Sequence, residues 1–345
     1  MTDDLRIGLV GAGGVARRHA TVLDRLPGVT VAAVADPEAE AARTLGGLVG
    51  ATPHRGANEM LAAERLDAVY VCVPPFAHGE PERSVLAAGV PLFVEKPLAG
   101  DLEVAEQLAR EVAATGVVTA TGYHWRHLDT VHRAAELLAD RPARLVVAEW
   151  FDKVPPVPWW TTQARSGGQL VEQATHLLDL ARILVGEVTA VTATGQRWVS
   201  APDATTDGPE PDIDVASAGT LKFAGGAVGT VAATSILHTK HRAQLTVVAD
   251  GLVLDVSETQ LVVHEDGRTE STTPRIDGRH AVDAAFVEAV RGGPPQPALV
   301  DYAEALRTHR VGVALIRAAE TGTVVAVDQG PPVTTAAPDA RAPRG

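Results

Sequence analysis

An apolar segment, Leu5–Val10, runs directly into Gly11-Ala12-Gly13-Gly14-Val15-Ala16 and then into an amphipathic stretch reaching Leu26. This strand, glycine turn and helix in succession constrain the chain more than any other feature. The turn fits G-x-G-x-x-A: Gly11 permits the tight bend, Gly13 lets the backbone approach a pyrophosphate, and Ala16 allows close helix–strand packing. Gly14 and Val15 open the helix, whose free N–H groups and positive dipole end face the phosphates. Glycine-rich turns also occur without a cofactor, so the context matters. The next apolar run, Val29–Ala35, ends at Asp36, where a carboxylate accepts hydrogen bonds from an adenosine ribose. Asp36-Pro37-Glu38 also reads as a helix N-cap followed by proline at the first helical position, and the two readings are compatible. A 2′-phosphate beside Asp36 and Glu38 is electrostatically poor, and Arg43 lies far along the helix. NAD is therefore expected rather than NADP.

Short apolar runs continue to alternate with helical stretches as far as residue 121. Ala68–Val73, Pro91–Val94 and Val117–Thr121 read as strands, and Ala77–Ala88 and Asp101–Thr115 as helices. The strands are nearly all apolar, as in a doubly wound parallel α/β sheet covered on both faces. Lys153–Pro158 reads as a proline-rich surface loop, and a helix is expected from Gln169 to Val185. From about Asp212 the pattern changes to strands separated by Gly225-Gly226, Asp250-Gly251 and Asp266-Gly267. These dipeptides favour two-residue hairpins and an antiparallel meander. Two helices follow, near Ala281–Arg291 and Ala303–Thr321. The expected division is 1–122 for a dinucleotide-binding domain, 123–328 for a substrate and oligomerisation domain, and 329–345 for a disordered Pro/Ala-rich tail. The length of 345 residues suits two domains at roughly 150 residues each.

The formal net charge of −13 argues against nucleic acid or an anionic membrane as partner, since both require a basic surface. No apolar run approaches the ~18 residues of a membrane span. Cys72 is the single cysteine, which excludes an internal disulfide framework, and Met1-Thr2-Asp3-Asp4 is acidic, unlike a signal peptide. A cytoplasmic setting is expected. Only Lys96, Lys153, Lys222 and Lys240 among the 30 basic residues are lysines, so a lysine in an apolar context draws notice. Phe93-Val94-Glu95-Lys96-Pro97 places such a lysine at the carboxyl end of a parallel strand, where open α/β sheets bind ligands. A salt-bridged surface pair is the alternative reading.

Taken together, Gly11–Ala16, Cys72-Val73-Pro74-Pro75 with His78, and Glu95-Lys96-Pro97 resemble the Gfo/Idh/MocA oxidoreductases. That family includes glucose–fructose oxidoreductase and inositol dehydrogenases. The resemblance extends through Gly122-Tyr123-His124-Trp125-Arg126 to Gly167-Gly168-Gln169. It implies a Rossmann domain, a second domain with an open mixed sheet, hydride transfer at a sugar or polyol hydroxyl, and a homodimer or homotetramer formed through that sheet. It also implies cofactor contacts at Val73, Pro74, His78, Glu95 and Lys96, and offers no metal. The family's Asp-x-x-x-His-x-x-Asp helix reads here Glu172-Gln173-Ala174-Thr175-His176-Leu177-Leu178-Asp179. Spacings of four and three put Glu172, His176 and Asp179 on one face, where carboxylates hold the imidazole in one tautomer. A core histidine and a carboxylate–histidine metal site are the rival readings. Glu172 in place of aspartate leaves open whether it assists His176.

Alcohol oxidation needs a base for the hydroxyl proton, a role that suits His176, while Lys96 would stabilise negative charge on the reacting oxygen. Trp159 and Trp160 either stack on a sugar face or plug the domain interface. Tyr123 and Arg126 follow the last Rossmann strand near the nicotinamide end; Arg126 either orients a substrate hydroxyl or pairs with a carboxylate. An NAD-using redox-neutral glycosidase or epimerase and a non-catalytic dinucleotide sensor are the competing functional readings.

Overall fold

Six short runs align side by side, all but Thr52-Pro53-His54 largely buried on both faces. In the computed structural model, which describes residues 4–198, 211–294, 296–328 and 330, they form an all-parallel sheet. Its strands are β1 (Leu5–Val10), β2 (Val29–Ala35), β3 (Thr52–His54), β4 (Ala68–Val71), β5 (Leu92–Val94) and β6 (Thr119–Thr121), in the order β3-β2-β1-β4-β5-β6. The order reverses direction between β1 and β4, which opens a crevice beyond their carboxyl ends. Helices α1 (Gly14–Leu23), α2 (Ala39–Val49), α3 (Ala57–Ala63), α4 (Glu80–Ala87) and α5 (Leu102–Thr115) connect the strands. Asp101 caps α5 by accepting the Glu103 amide, so the helix begins one residue later than expected. The helix expected over Ala77–Ala88 is a short 3-10 turn at Pro75–Ala77 followed by α4.

The second half contains α6 (Asp129–Leu138), β7 (Leu145–Phe151), α7 (Gln163–Ser166), α8 (Gln169–Glu172), α9 (Thr175–Val185) and β8 (Val188–Arg197). Then follow β9 (Asp214–Phe223), β10 (Val228–Thr234), β11 (Arg242–Ala249), β12 (Leu252–Ser257), β13 (Leu261–Glu265) and β14 (Arg268–Thr272). Helices α10 (Gly278–Val290) and α11 (Tyr302–Thr321) and the short strand β15 (Val325–Ala326) complete the described chain. The nine strands make one open sheet in the order β14-β13-β12-β11-β7-β10-β9-β8-β15. Every pairing in it is antiparallel except β7 with β10, so the sheet is mixed, as the family resemblance implies. Burial alternates along β10, β11 and β12, and the buried face packs with Leu177, Leu178 and Leu315 of the helices.

The three expected hairpin turns join β9 to β10, β11 to β12 and β13 to β14. Only Asp266-Gly267 has both φ angles positive, as a type I′ turn requires. Gly225-Gly226 sits in a wider loop closed by the Phe223 amide on the Ala227 carbonyl. The tail expected over 329–345 lies, Gly330 apart, outside the described residues.

The two closing helices return to the first sheet. Phe286 of α10 is fully buried, with its ring 5.4 Å from Tyr70 and 5.5 Å from Phe93, and Tyr302 and Ala305 of α11 share a core with Leu92 and Val94. A parallel sheet needs cover on both faces, and residues some 200 positions downstream supply part of it. The expected helix Gln169–Val185 is interrupted. The amides of Gln173 and Ala174 both turn back to the Gln169 carbonyl, and the His176 amide reaches Gln173 at 3.5 Å, so the carbonyl of Glu172 is left without its helical partner.

Candidate active site

Gly11 adopts φ +95°, and a Cβ there would collide with the Cys72 carbonyl. That collision is the physical reason for glycine: β1 and β4 approach too closely for a side chain. Gly13 and Gly14 face the opposite condition, with nothing within 4 Å of where a Cβ would stand. They border a cavity of about 960 Å³ that runs from this turn to His176. Ala16 is fully buried against the sheet, and Val15 is exposed at the cavity edge.

Asp36 lines the same cavity. Its Oδ2 accepts the Ala12 amide at 2.8 Å and its Oδ1 accepts the Glu38 amide at 2.8 Å. The N-cap position itself belongs to Glu38, so Asp36 acts as a turn residue two positions upstream. An ionised carboxylate offers about four acceptor sites. Two remain open towards the cleft, whereas the N-cap position expected of Asp36 is taken by Glu38. Arg43 is engaged with Glu40 at 2.7 Å. Arg55, which the sequence did not single out, lines this end of the cavity. Open glycines, a half-satisfied carboxylate and a continuous cleft together fit a dinucleotide. Val73 and Pro74 border the cleft. His78 does not: its side chain is fully enclosed, and Nδ1 meets Glu82 Oε1 at 2.5 Å.

Glu95 and Lys96 leave the end of β5 in opposite directions. Glu95 accepts from His19 Nε2 at 2.9 Å and from the Lys96 amide at 3.0 Å, with Arg18 3.6 Å away. Gly122 is the neighbour that makes room, since a Cβ there would strike this carboxylate. Burial pushes the Glu95 carboxyl up, but the His19 hydrogen bond and charge, with Arg18 and Lys96, outweigh it and hold the group at about 2. His19 Nδ1 meets Asp283 Oδ1 of α10 at 2.7 Å. Burial lowers its pKa, yet Asp283 and Glu95 together raise it to about 9. A buried imidazolium thus joins α1, β5 and α10. Sequence reading missed it because its partners lie 76 and 264 residues away.

Lys96 faces the other way. Its ammonium donates to the freed Glu172 carbonyl at 2.8 Å and to Glu172 Oε1 at 3.1 Å. The interrupted helix explains the first bond, because an unbroken helix would have used that carbonyl itself. Glu172 Oε2 also accepts from Trp160 Nε1 at 3.2 Å. Trp160 is fully buried, whereas its neighbour Trp159 lines the cleft and meets Phe76 edge-on.

His176 lines the inner end of the cavity. Its Nδ1 is enclosed without a partner, which leaves Nε2 as the nitrogen able to reach the cleft. Neither Glu172 nor Asp179 bonds to the ring, so the expected carboxylate–histidine–carboxylate face does not form. The helix break carries Glu172 to Lys96. Asp179 instead takes two bonds from Arg126, at 2.7 and 2.5 Å, and one from the Thr308 hydroxyl at 2.9 Å. Arg126 has therefore taken the carboxylate-pairing alternative, and Tyr123 is buried with its hydroxyl 2.8 Å from that of Thr175. These three residues brace α9 from behind the cleft.

Aromatic rings surround His176 instead: His124 at 5.1 Å, Trp125 stacked at 5.6 Å, and Trp150 stacked at 6.1 Å. Burial, then the positive charges of Lys96, His124, Arg18 and Lys240, push its pKa well below the usual imidazole value. The ring is neutral at physiological pH. Lys240, Glu258 and Arg279 also line the cavity, the first over the Trp150 ring and the second bonded to His124. Among the described residues no group of three or more His, Cys, Asp and Glu side chains is placed to hold a metal ion.

A family model described as an oxidoreductase family with an NAD-binding Rossmann fold matches residues 5–123, and the model of the GFO/IDH/MocA C-terminal domain matches 142–251. The chain belongs to the Gfo/Idh/MocA oxidoreductases. Within the family it is 27% identical to levoglucosan dehydrogenase of Pseudarthrobacter phenanthrenivorans, over 68% of this chain and 69% of that protein. It is 31% identical to inositol 2-dehydrogenase of Rhizobium meliloti, over 55% of this chain and 58% of the relative. A solved levoglucosan dehydrogenase in complex with NADH and levoglucosan shares the fold with a TM-score of 0.85, at 19% identity, covering 95% of this chain and 100% of that one. The Gfo/Idh/MocA fold assignment therefore rests on both halves of the chain.

The His19 clamp makes a stability prediction. Folded His19 keeps its proton to about pH 9, whereas an unfolded histidine keeps it only to about 6.5. The clamp's contribution, on the order of 3 kcal/mol, is complete below pH 6.5 and is lost as pH rises through 9. Thermal melts of the wild type should fall in Tm across that window, and His19→Gln should melt lower with a flatter dependence. Equal slopes for the two proteins would rule out a protonated His19.

Proposed function

We propose that the protein is an NAD(H)-dependent dehydrogenase or reductase acting on a secondary hydroxyl, or the corresponding ketone, of a sugar or cyclitol. The observation that carries this reading is one cavity lined at one end by the open glycine turn and Asp36 and at the other by Lys96 and His176. The relatives named for levoglucosan and inositol oxidation support the substrate class. In this reading Gly13, Gly14 and Val15 hold the pyrophosphate, Asp36 the adenosine ribose, and Val73, Pro74 and Glu95 border the nicotinamide side. NAD, when bound, supplies the hydride acceptor.

The chain's own residues do the rest. Lys96 is held by two oxygens of Glu172, and its third N–H points a positive charge at the reacting oxygen, stabilising the negative charge that develops as the proton leaves. His176, kept neutral by burial and by nearby cations, takes that proton at Nε2, with its own proton on the enclosed Nδ1. In the reverse direction it returns the proton to the carbonyl oxygen. Trp125, Trp150 and His124 exclude water around the ring. Glu172 is a positioning residue for Lys96. Tyr123, Arg126 and Asp179 take no part in contacting substrate and serve to fix α9.

No helix among the described residues is long and apolar enough to cross a membrane, and we place the protein in the cytoplasm with its nicotinamide pool. We propose further that it forms a homodimer or homotetramer through the half-exposed face of the nine-stranded sheet, where Val147, Thr246 and Val253 lie on neighbouring strands. Sedimentation should give two or four times the mass of the 35.9 kDa chain; a strictly monomeric mass at micromolar concentration would contradict this assembly.

Two kinetic outcomes test the roles. His176→Ala should lower kcat by ~10²–10⁴ while NADH still binds, as expected for loss of a positioned acid–base. Lys96→Met should do the same. Turnover within tenfold of wild type in His176→Ala would remove that residue from the proton path. The acid limb of kcat/KM for oxidation should fall well below pH 6.5, because the base loses activity only as its depressed pKa is crossed. A limb at or above 6.5 would contradict a buried neutral imidazole.

A further inference from the structure

At the end of the cleft that holds His176, three cations (Lys96, Lys240 and Arg279) face two carboxylates (Glu172 and Glu258). Lys96 is paired with Glu172 at 3.1 Å. Glu258 is shared between His124 at 3.1 Å and Arg279 at 2.5 Å, and its carboxyl is held at about 2, chiefly by the His124 bond. Both carboxylates that line this end are therefore already engaged. Lys240 has no carboxylate within 4 Å among the described residues. Its ammonium sits 4.8 Å from the centre of the Trp150 ring, which in turn stacks on His176 at 6.1 Å. This cation, whose charge reaches Glu258 without an ion pair, stands one aromatic ring away from the proposed base.

We propose that the substrate carries a carboxylate, as in a uronic or aldonic acid, and that Lys240 is the residue that receives it. This rests on the dehydrogenase reading given above and names the substrate class of that site. Contact with the Trp150 face holds the ammonium over the cleft without using its N–H donors, which remain available to an anionic oxygen. Lys240 is exposed at the mouth, so the acid group stays partly hydrated and avoids the desolvation penalty of a buried ion pair. Composition points the same way: the chain uses arginine in all but four of its 30 basic positions, yet two of those four lysines line this one cavity. A compact ammonium suits a single carboxylate oxygen beside a ring, where a planar guanidinium would instead stack flat on it. The carboxylate takes no part in the reaction. The carbinol C–H bond breaks with its electron pair going to nicotinamide, the O–H proton goes to His176, and the acid group leaves as it entered.

Matched pairs test this: D-glucuronate against D-glucose, D-galacturonate against D-galactose and D-gluconate against D-glucitol, with NAD and the intact protein. In at least one pair the acid should exceed its neutral partner in kcat/KM by ~10-fold or more, the discrimination expected of one charge-assisted contact. Lys240→Met should collapse that ratio towards one, and Lys240→Arg should retain part of it. Neutral sugars turned over as well as the acids would overturn the proposal and leave the dehydrogenase reading standing. If no pair reduces NAD, tryptophan fluorescence decides this proposal separately from the dehydrogenase reading. Quenching at lower concentration by glucuronate than by glucose, lost in Lys240→Met, sustains the anion subsite; equal quenching by the two overturns it.

Discussion

The bonds from Lys96 to Glu172 tie the end of the parallel sheet to the helix break that precedes α9. The rest of the site depends on them. The ammonium needs a carbonyl freed from helical bonding, and the freed carbonyl needs a donor, since an orphaned buried acceptor costs about 1–3 kcal/mol. Each feature therefore requires the other. Together they set the position of α9, and with it His176, relative to the glycine turn on the opposite side of the cleft.

On the other side of the same strand end, Glu95 is anchored by His19 and through it by Asp283 of α10. The pair Glu95-Lys96 thus projects one charge into the structural core and one into the cleft. A parallel strand ends at the mouth of its sheet, so consecutive residues there diverge to opposite sides. The buried side fixes the geometry of the strand end; the cleft side uses it. Behind α9, Arg126, Asp179 and Thr308 form another buried polar group, in which both Asp179 oxygens are bonded. Its stability comes from this pairing, because any of its charges left alone would be strongly unfavourable.

Much of the first half was legible in the sequence because its signals are local. β1 and β2 occupy Leu5–Val10 and Val29–Ala35 as read, and the glycine turn, Asp36 and Lys96 border the cleft. The second half was read less well for physical reasons. The helix-spaced leucines from Leu170 to Leu184 hide the interruption at Gln173, since they are buried on either side of it. Spacing placed Asp179 beside His176, but Arg126, 53 residues away, competes for it more strongly. β7 carries a strand-like alternation, yet its parallel pairing with β10 depends on a long crossover that no local pattern announces. Lys240, Glu258 and Arg279 come from two loops and the start of α10, and only the folded sheet brings them to the cleft mouth.

The central claim is that this cleft moves a hydride between a bound nicotinamide and a polyhydroxylated substrate. The most direct test is near-ultraviolet absorbance of the protein supplied with NAD and a panel of inositols, hexoses and hexuronates, with NADH and the matching ketones for the reverse direction. The account predicts reduced nicotinamide accumulating with at least one class. Demonstrated NAD binding with no net change of redox state in either direction across the panel would contradict it, and would assign the cleft to redox-neutral chemistry or to dinucleotide sensing.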